Sequence, residues 1–282
     1  MHEAIKPGQI IRVSDRVRRI TAPNSGPMTG AGTNTYLVGQ ESIAVIDPGP
    51  ADPSHIDAIL AACGDKLRWI LATHTHADHS PAAATLAETT GAVVMGNKLS
   101  HNDGFQDDSF APEKSLAHDE CWATEEFTLR ALHTPGHVNN HLCFLVEQDG
   151  LLLTGDHIMQ GSTVVIIPPH GNMKDYLQSL KLLLDYPLQA LGPGHGQIID
   201  NPVKEIEGLI EHRLKRETKV LSKLNNTGPV DLDRLTVQVY DDVDASLHPV
   251  ARYSLWAHLL KLEQEGRARL DKDKWSLITN DE

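Results

Sequence analysis

A chain of 282 residues with 40% hydrophobic and 5% aromatic content can bury one large core and carry a small appendage, so neither a disordered nor a fibrous class is expected. The formal charge of −13 is unevenly spread: residues 1–200 hold 12 Lys and Arg against 23 Asp and Glu, whereas residues 201–282 hold 13 against 15. An acidic body argues against indiscriminate nucleic-acid binding but leaves room for a local basic surface on the tail. Cys63, Cys121 and Cys143 are odd in number and lack metal-type spacing, which suggests buried free thiols. Met1 to Gly8 has no apolar secretory region, and no run approaches the roughly 18 apolar residues of a membrane span, so the expectation is a cytoplasmic protein with no membrane partner.

In chain order, Ile10–Thr21 and Thr33–Gly39 read as strands around the turn-rich Pro23-Asn24-Ser25-Gly26-Pro27. Ser42–Asp47 reads as a third strand, a hairpin partner of the second, stopped by Pro48-Gly49-Pro50. Ile56, Ile59 and Leu60 repeat at helical spacing within Pro53–Cys63. Leu67–Ala72 is a short apolar strand, and Pro81–Thr90 is a helix opened by proline. Residues 97–124 are polar and read as an irregular insertion. Strands follow at 127–132, 141–147 and 151–155, then a helix from Met173 to Tyr186 with Leu177, Leu180, Leu183 and Leu184 on one face. A long helix from Pro202 to about Asn225 ends in the turn cluster Asn225-Asn226-Thr227-Gly228-Pro229. This divides the chain into a body, 1–224, and a tail, 225–282, built from helices Asp231–Val239 and His248–Gly266 and a hairpin across Arg267–Ile278, the pattern of a winged-helix-like module.

The chemistry concentrates where strands end. Leu67–Ala72 runs into His74-Thr75-His76-Ala77-Asp78-His79, with three imidazoles and a carboxylate in six residues. Imidazole nitrogen and carboxylate oxygen hold zinc, or iron and manganese at harder sites, and this many ligands exceed what one metal needs. His137 follows a strand in Thr134-Pro135-Gly136-His137, Asp156 ends Leu151-Leu152-Leu153-Thr154-Gly155-Asp156, and His195 sits in Gly192-Pro193-Gly194-His195-Gly196. Layered α/β folds place their sites at strand ends. A solvated histidine-rich loop is the alternative for the 74–79 stretch alone, and the three later strand ends oppose it.

Asp47, the His-x-His-x-Asp-His box at 74–79, His137, Asp156 and His195, in that order, resemble the signature of the metallo-β-lactamase superfamily over residues 10–200. His212-Arg213, Arg216-Glu217 and the stretch from Leu255 to Gly266 resemble the β-lactamase-like protein 2 family and its bacterial relatives. The first resemblance implies an αββα sandwich, where composition alone says only α/β. It also implies a two-zinc hydrolase, with iron or manganese as substitutes. His74, His76 and His137 would hold the first metal, Asp78, His79 and His195 the second, and Asp156 would bridge them, Asp78 and Asp156 being the carboxylates of the catalytic centre. A hydroxide between the metals would be the nucleophile, and consistently no Gly-x-Ser-x-Gly elbow occurs. Asp47 would orient a ligand from behind, and His170 is a substrate-contact candidate.

The substrate remains open at this level. One reading is a small-molecule ester, thioester or lactone. Another is a phosphodiester, including single-stranded RNA, since animal members of the β-lactamase-like protein 2 group are single-strand-selective endoribonucleases. A reading from another class is a non-hydrolytic metal-binding or redox partner protein. A homodimer is compatible with each. Arg267, Arg269, Lys272 and Lys274 lie beside Trp275 on the expected wing, a mixture that suits a nucleic-acid backbone and a stacked base, with a solvated charged hairpin as the alternative.

Overall fold

The computed structural model describes residues 4–99 and 104–278. It divides into two compact units, one comprising Met1–Thr134, Asn140–Val164 and Leu184–Val203, the other Pro135–Asn139, Val165–Leu183 and Lys204–Glu282.

The first unit holds two sheets. One has six strands in sequential order: β1 (Ile10–Arg12), β2 (Val17–Thr21), β3 (Asn34–Val38), β4 (Ile43–Ile46), β5 (Leu67–Leu71) and β6 (Val93–Met95). Pairing is antiparallel from β1 to β4 and parallel from β4 to β6. The second sheet orders β11 (Ala190–Pro193), β10 (Leu151–Gly155), β9 (Leu142–Val146), β8 (Thr128–His133) and β7 (Glu120–Ala123), parallel only between β10 and β11. The period of two in β4 explains the layering. Ala44 and Ile46 join Val17, Tyr36, Val38 and Leu71 against Leu129, Ala131, Leu142, Phe144, Val146, Leu151 and Leu153 of the second sheet. Ile43 and Val45 point the other way, onto Ile56, Ile59 and Cys63 of α1 (Pro53–Cys63) and Ala82, Ala83 and Leu86 of α2 (Ala82–Thr90). Both faces of β4 are therefore buried, which is why it reads as a continuous apolar run. The Asp52 carboxylate caps α1, accepting from His55 N at 3.0 Å.

Two expectations are corrected, and one strand was not expected. Ile10–Thr21 is a hairpin of two strands, because Ser14 Oγ accepts the Arg16 and Val17 amides at 3.3 and 3.1 Å and turns the chain. The polar stretch 97–124 contains β7, an edge strand whose alternately exposed residues carry no apolar run. β6 is only three residues long, too short to announce itself.

In the second unit α3 (Met173–Leu183) buries Tyr176, Leu177, Leu180 and Leu183. Then α4 (Pro202–Thr227) runs two residues beyond Asn225. The tail folds as α5 (Leu232–Val239), α6 (His248–Gln264) and the hairpin β12 (Ala268–Asp271) to β13 (Lys274–Leu277). Lys272 and Asp273 both take positive φ, 47° and 64°, as a two-residue hairpin turn requires. Val220, Leu224, Leu235, Val239, Leu255, Leu259, Leu262 and Trp275 form the core of this unit. Trp275 is 2% exposed and its backbone pairs with Val230 in both directions, at 2.8 and 3.0 Å. The expected stacking role for Trp275 therefore fails, because its ring is core. Among the described residues no helix is long and apolar enough to cross a membrane.

Candidate metal centre

The site grows from the ends of β4 and β5. Asp47 follows β4 with φ 51°, a left-handed conformation held by its own N–H donating to Leu71 O at 2.8 Å and by Thr35 Oγ1 donating to its carbonyl at 2.6 Å. Its side chain is buried and turned toward the loop after β5. Oδ1 accepts the Thr73 amide at 2.7 Å, and Oδ2 accepts the Thr73 hydroxyl at 2.9 Å and lies 2.9 Å from His79 Nδ1. Since the Thr73 hydroxyl gives its proton to Asp47, it accepts from His74 Nδ1 at 3.0 Å. One carboxylate thus fixes the tautomers of two histidines, His79 directly and His74 through Thr73. In both, Nε2 is the nitrogen turned into the site, and it carries the lone pair once the ring is neutral.

Six of the seven expected ligands lie in the first unit. His74 Nε2 is 2.9 Å from His76 Nδ1. His74, His79 and Asp156 form one group of ligand atoms, and Asp78, His79 and His195 form another, the atoms in each lying within 4.8 Å of one another. His79 Nε2 is buried without a hydrogen bond, 3.5 Å from Asp78 Oδ2 and 3.4 Å from Asp156 Oδ1. His195 Nε2 lies 3.3 Å from each of the same two oxygens. His195 follows β11, with Nδ1 donating to Gly32 O at 3.3 Å. Asn34 clamps this loop, its N–H donating to Gly194 O at 2.7 Å and its amide to Pro193 O and Gly196 O at 3.0 and 2.9 Å. Two glycines are sterically required. A Cβ on Gly194 would lie 2.7 Å from Asp156 Oδ1 and 2.8 Å from His79, and one on Gly155 (φ 46°) would lie 2.3 Å from Thr73 Oγ1.

The electrostatics describe a site matched to a cation. Burial opposes charge on His79, yet Asp78, Asp156 and Asp47 hold its pKa well above the usual imidazole value. Burial likewise opposes charge on His195, and Asp156 and Asp78 raise it to about 10. Conversely, against burial, His79 and His195 hold Asp78 at about 2 and Asp156 well below the carboxylate range. Burial and the neighbouring His79 and His76 lower His74 strongly. Carboxylates that stay ionised while buried need positive charge beside them. Protons on His79 and His195 supply it here, and a divalent ion, whose binding releases protons from its ligands, fits the same donors.

The remaining candidates are placed as follows. His137 belongs to the second unit, where Nδ1 donates to Val165 O at 2.7 Å, leaving Nε2 as the ring's acceptor nitrogen. His170 is half-buried in that unit, after the cis Pro168–Pro169 bond, and joins none of the ligand groups among the described residues. His141 and His157 are fully buried, and the His141 ring stacks on His74 at 5.2 Å, in keeping with packing roles. Sequence reasoning missed Thr73 and Asn34. Thr73 directly precedes the histidine box, where a hydroxyl can reach a ligand nitrogen, but Asn34 has no signal in its local sequence.

The Metallo-beta-lactamase superfamily model matches residues 28–195, more than half of the chain. The chain belongs to the metallo-beta-lactamase superfamily. A Beta-lactamase associated winged helix domain matches residues 232–275. This superfamily member is 33% identical to the Beta-lactamase-like protein 2 homolog of Drosophila melanogaster over 93% of each chain. It is 30% identical to the Caenorhabditis elegans homolog of the same name, over 91% of this chain and 87% of that one. It is also 30% identical to the lactamase-like protein aptB of Emericella nidulans, over 86% and 81%. A metallo-beta-lactamase family protein from Thermus thermophilus shares the fold with a TM-score of 0.76 at 22% identity, covering 95% of this chain and all of that one. Another solved relative, in a di-iron-bound form, gives a TM-score of 0.53 at 27% identity over 66% of this chain and 96% of its own. Two sheets flanked by helices, followed by a winged helix, are therefore the superfamily architecture carried by this chain.

Proposed function

We propose that this superfamily member is a dinuclear metal-dependent hydrolase, with zinc as its metal and a small-molecule ester, thioester or lactone as its substrate. The carrying observation is the convergence of Asp78, His79, Asp156 and His195, two buried imidazoles interleaved with two half-buried carboxylates within 3.5 Å. In this reading Asp78, His79 and His195 would hold one ion and His74, His76 and His137 the other, with the Asp156 carboxylate available to both. When bound, such a pair supplies Lewis acidity, lowering the pKa of coordinated water and stabilising charge that develops on the substrate oxygen. The chain's own residues contribute position. Asp47 and Thr73 hold the ligand tautomers, Asn34 fixes the His195 loop, and Thr33 Oγ1 donates to Asp78 Oδ2 at 3.3 Å. Iron or manganese are the substitutes, supported by the di-iron form of the solved relative. Cys63, Cys121 and Cys143 are all free thiols, in keeping with a cytoplasmic location, but only Cys63 and Cys143 are buried as expected, since Cys121 lies exposed on the edge strand β7. Elemental analysis of the purified protein should give about two metals per chain, and a panel of p-nitrophenyl esters, thioesters, lactones and phosphodiesters should reveal metal-dependent turnover. One metal or none after metal-replete expression would overturn the dinuclear reading, and bound metals without turnover would favour a non-hydrolytic protein.

Single-stranded RNA is the second reading, favoured by the match to Beta-lactamase-like protein 2 homologs along most of both chains. With Trp275 in the core and Arg267 paired to Glu217 at 3.2 Å, any wing contribution falls to Arg269, Lys272 and Lys274 as phosphate contacts. Neutralising these three should weaken RNA binding and flatten its salt dependence if the wing holds RNA. Unchanged RNA affinity would leave the wing a structural element.

A further inference from the structure

Within the first unit a cavity of about 570 Å³ opens at the end of the six-stranded sheet where β4 begins. Ligand pockets are of this size. β4 enters it at Ile43 and reaches Asp47 four residues later, about 13 Å away at strand rise. The cavity is therefore separate from the metal centre. Its floor is apolar, formed by Ile43, Ala62 and Cys63 with the exposed Ile10 at one side. Burial pushes the Cys63 thiol up to about 11, so the floor carries no charge.

The rim is basic. Arg12, Arg16, Arg18 and Lys66 line it against two carboxylates, Asp15 and Glu41, and they are four of the 12 Lys and Arg in the first 200 residues, inside a body whose overall charge is acidic. Three of these have carboxylate partners: Arg12 with Asp15 at 2.6 Å, Arg16 with Asp149 at 2.7 Å and Lys66 with Glu41 at 2.8 Å. The Arg12 and Lys66 pairs are solvent-exposed and open readily. Arg18 differs. It is half-buried beside the floor, and its guanidinium donates to a backbone carbonyl, Ala62 O at 3.1 Å, rather than to a carboxylate. A planar cation with donors to spare, set over an apolar floor, suits the head group of an anion whose body is apolar.

We infer that this cavity binds a small amphipathic organic anion, its apolar body on Ile10, Ile43 and Ala62 and its carboxylate or phosphoryl head group on Arg18, with Lys66 beside it. The test uses the full-length, metal-loaded protein and two probes, phenylacetate and phenylphosphonate, which separate the two head groups without being cleaved. Isothermal titration with backbone amide shifts should show saturable binding of at least one probe, with shifts at Ile10, Ile43 and Gly64. Arg18→Gln combined with Lys66→Gln should weaken that binding by about tenfold or more. Ile10→Asp, at an exposed position that tolerates polarity, should do the same by repulsion and decides the matter if the double variant does not fold. Turnover of a p-nitrophenyl ester should be unaltered in all variants. Equal affinity in wild type and Ile10→Asp, or shifts confined to residues 74–79, would overturn the inference.

Discussion

The molecule buries two polar clusters, and they balance charge differently. In the C-terminal unit Glu217 is surrounded by Lys261 at 2.7 Å, Arg267 at 3.2 Å and His258 at 3.8 Å, so cations of the protein itself meet the buried carboxylate. Around it, Arg213 lies over the Tyr176 ring at 5.2 Å and Arg216 over Tyr240 at 4.4 Å, with Arg216 also donating to Asp242. The His-Arg and Arg-Glu motif of α4 is thereby absorbed into packing. In the strand-end cluster, the ion pairs of Asp47, Asp78 and Asp156 are with imidazoles, which carry positive charge solely while protonated. A buried carboxylate met by fixed cations of the protein is structural. One whose balance depends on exchangeable protons is suited to receive a metal.

The sharpest way to break this contrast is Asp156→Ala. It should lower turnover by about a thousandfold or more and reduce the metal content measured by elemental analysis, while circular dichroism stays native. Near-normal turnover would remove Asp156 from the centre. The counterpart in the other cluster is Glu217→Ala, which leaves the buried Lys261 with Glu265, at 2.8 Å, as its remaining carboxylate partner. A loss of roughly 1–3 kcal/mol is expected in the unfolding free energy from denaturant titration, with metal content unchanged. If metal content fell instead, the two clusters would not be independent.

Asp47→Asn tests whether one carboxylate serves both halves of the centre. Because it orients His79 directly and His74 through Thr73, metal affinity at both positions should fall together, by roughly 10–100-fold. A chelator titration in which only one ion loosens would restrict Asp47 to His79.

The smallest expected effect is a pH dependence in the C-terminal unit. Burial lowers His258 to about 4, so the unfolded chain takes up that proton first as pH falls. The stability associated with neutral His258 is complete above about pH 6.5 and is lost between about 6.5 and 4. Glu217, held at about 2 by His258 and Lys261 against the effect of burial, adds a further loss between about 4.5 and 2. Melting of His258→Gln should be flatter than wild type between pH 6.5 and 4, and an equal slope would remove His258 as the cause.

Element positions were legible wherever apolar spacing was strong. The helix expected over Pro53–Cys63 from Ile56, Ile59 and Leu60 coincides with α1, which Asp52 caps and Gly64 follows. β6 and β7 were not legible, since an edge strand and a three-residue strand depend on neighbours distant in sequence. Trp275 looked available beside four basic residues. Its burial follows from pairing with Val230, which local pattern does not show.

By itself the sequence determined which residue types stand at which strand ends, because alternating and apolar runs followed by His and Asp are local signals. It also determined that the candidate donors are present, since the box at 74–79 and the later His137, Asp156 and His195 are written in the chain. Only the tertiary structure decided that one oxygen of Asp156 lies 3.4 Å from His79 and 3.3 Å from His195. It also decided that Asn34, from a distant hairpin, clamps the His195 loop and that Gly194 must lack a Cβ. These depend on the register of two sheets. A shift of one residue would turn every such side chain to the opposite face.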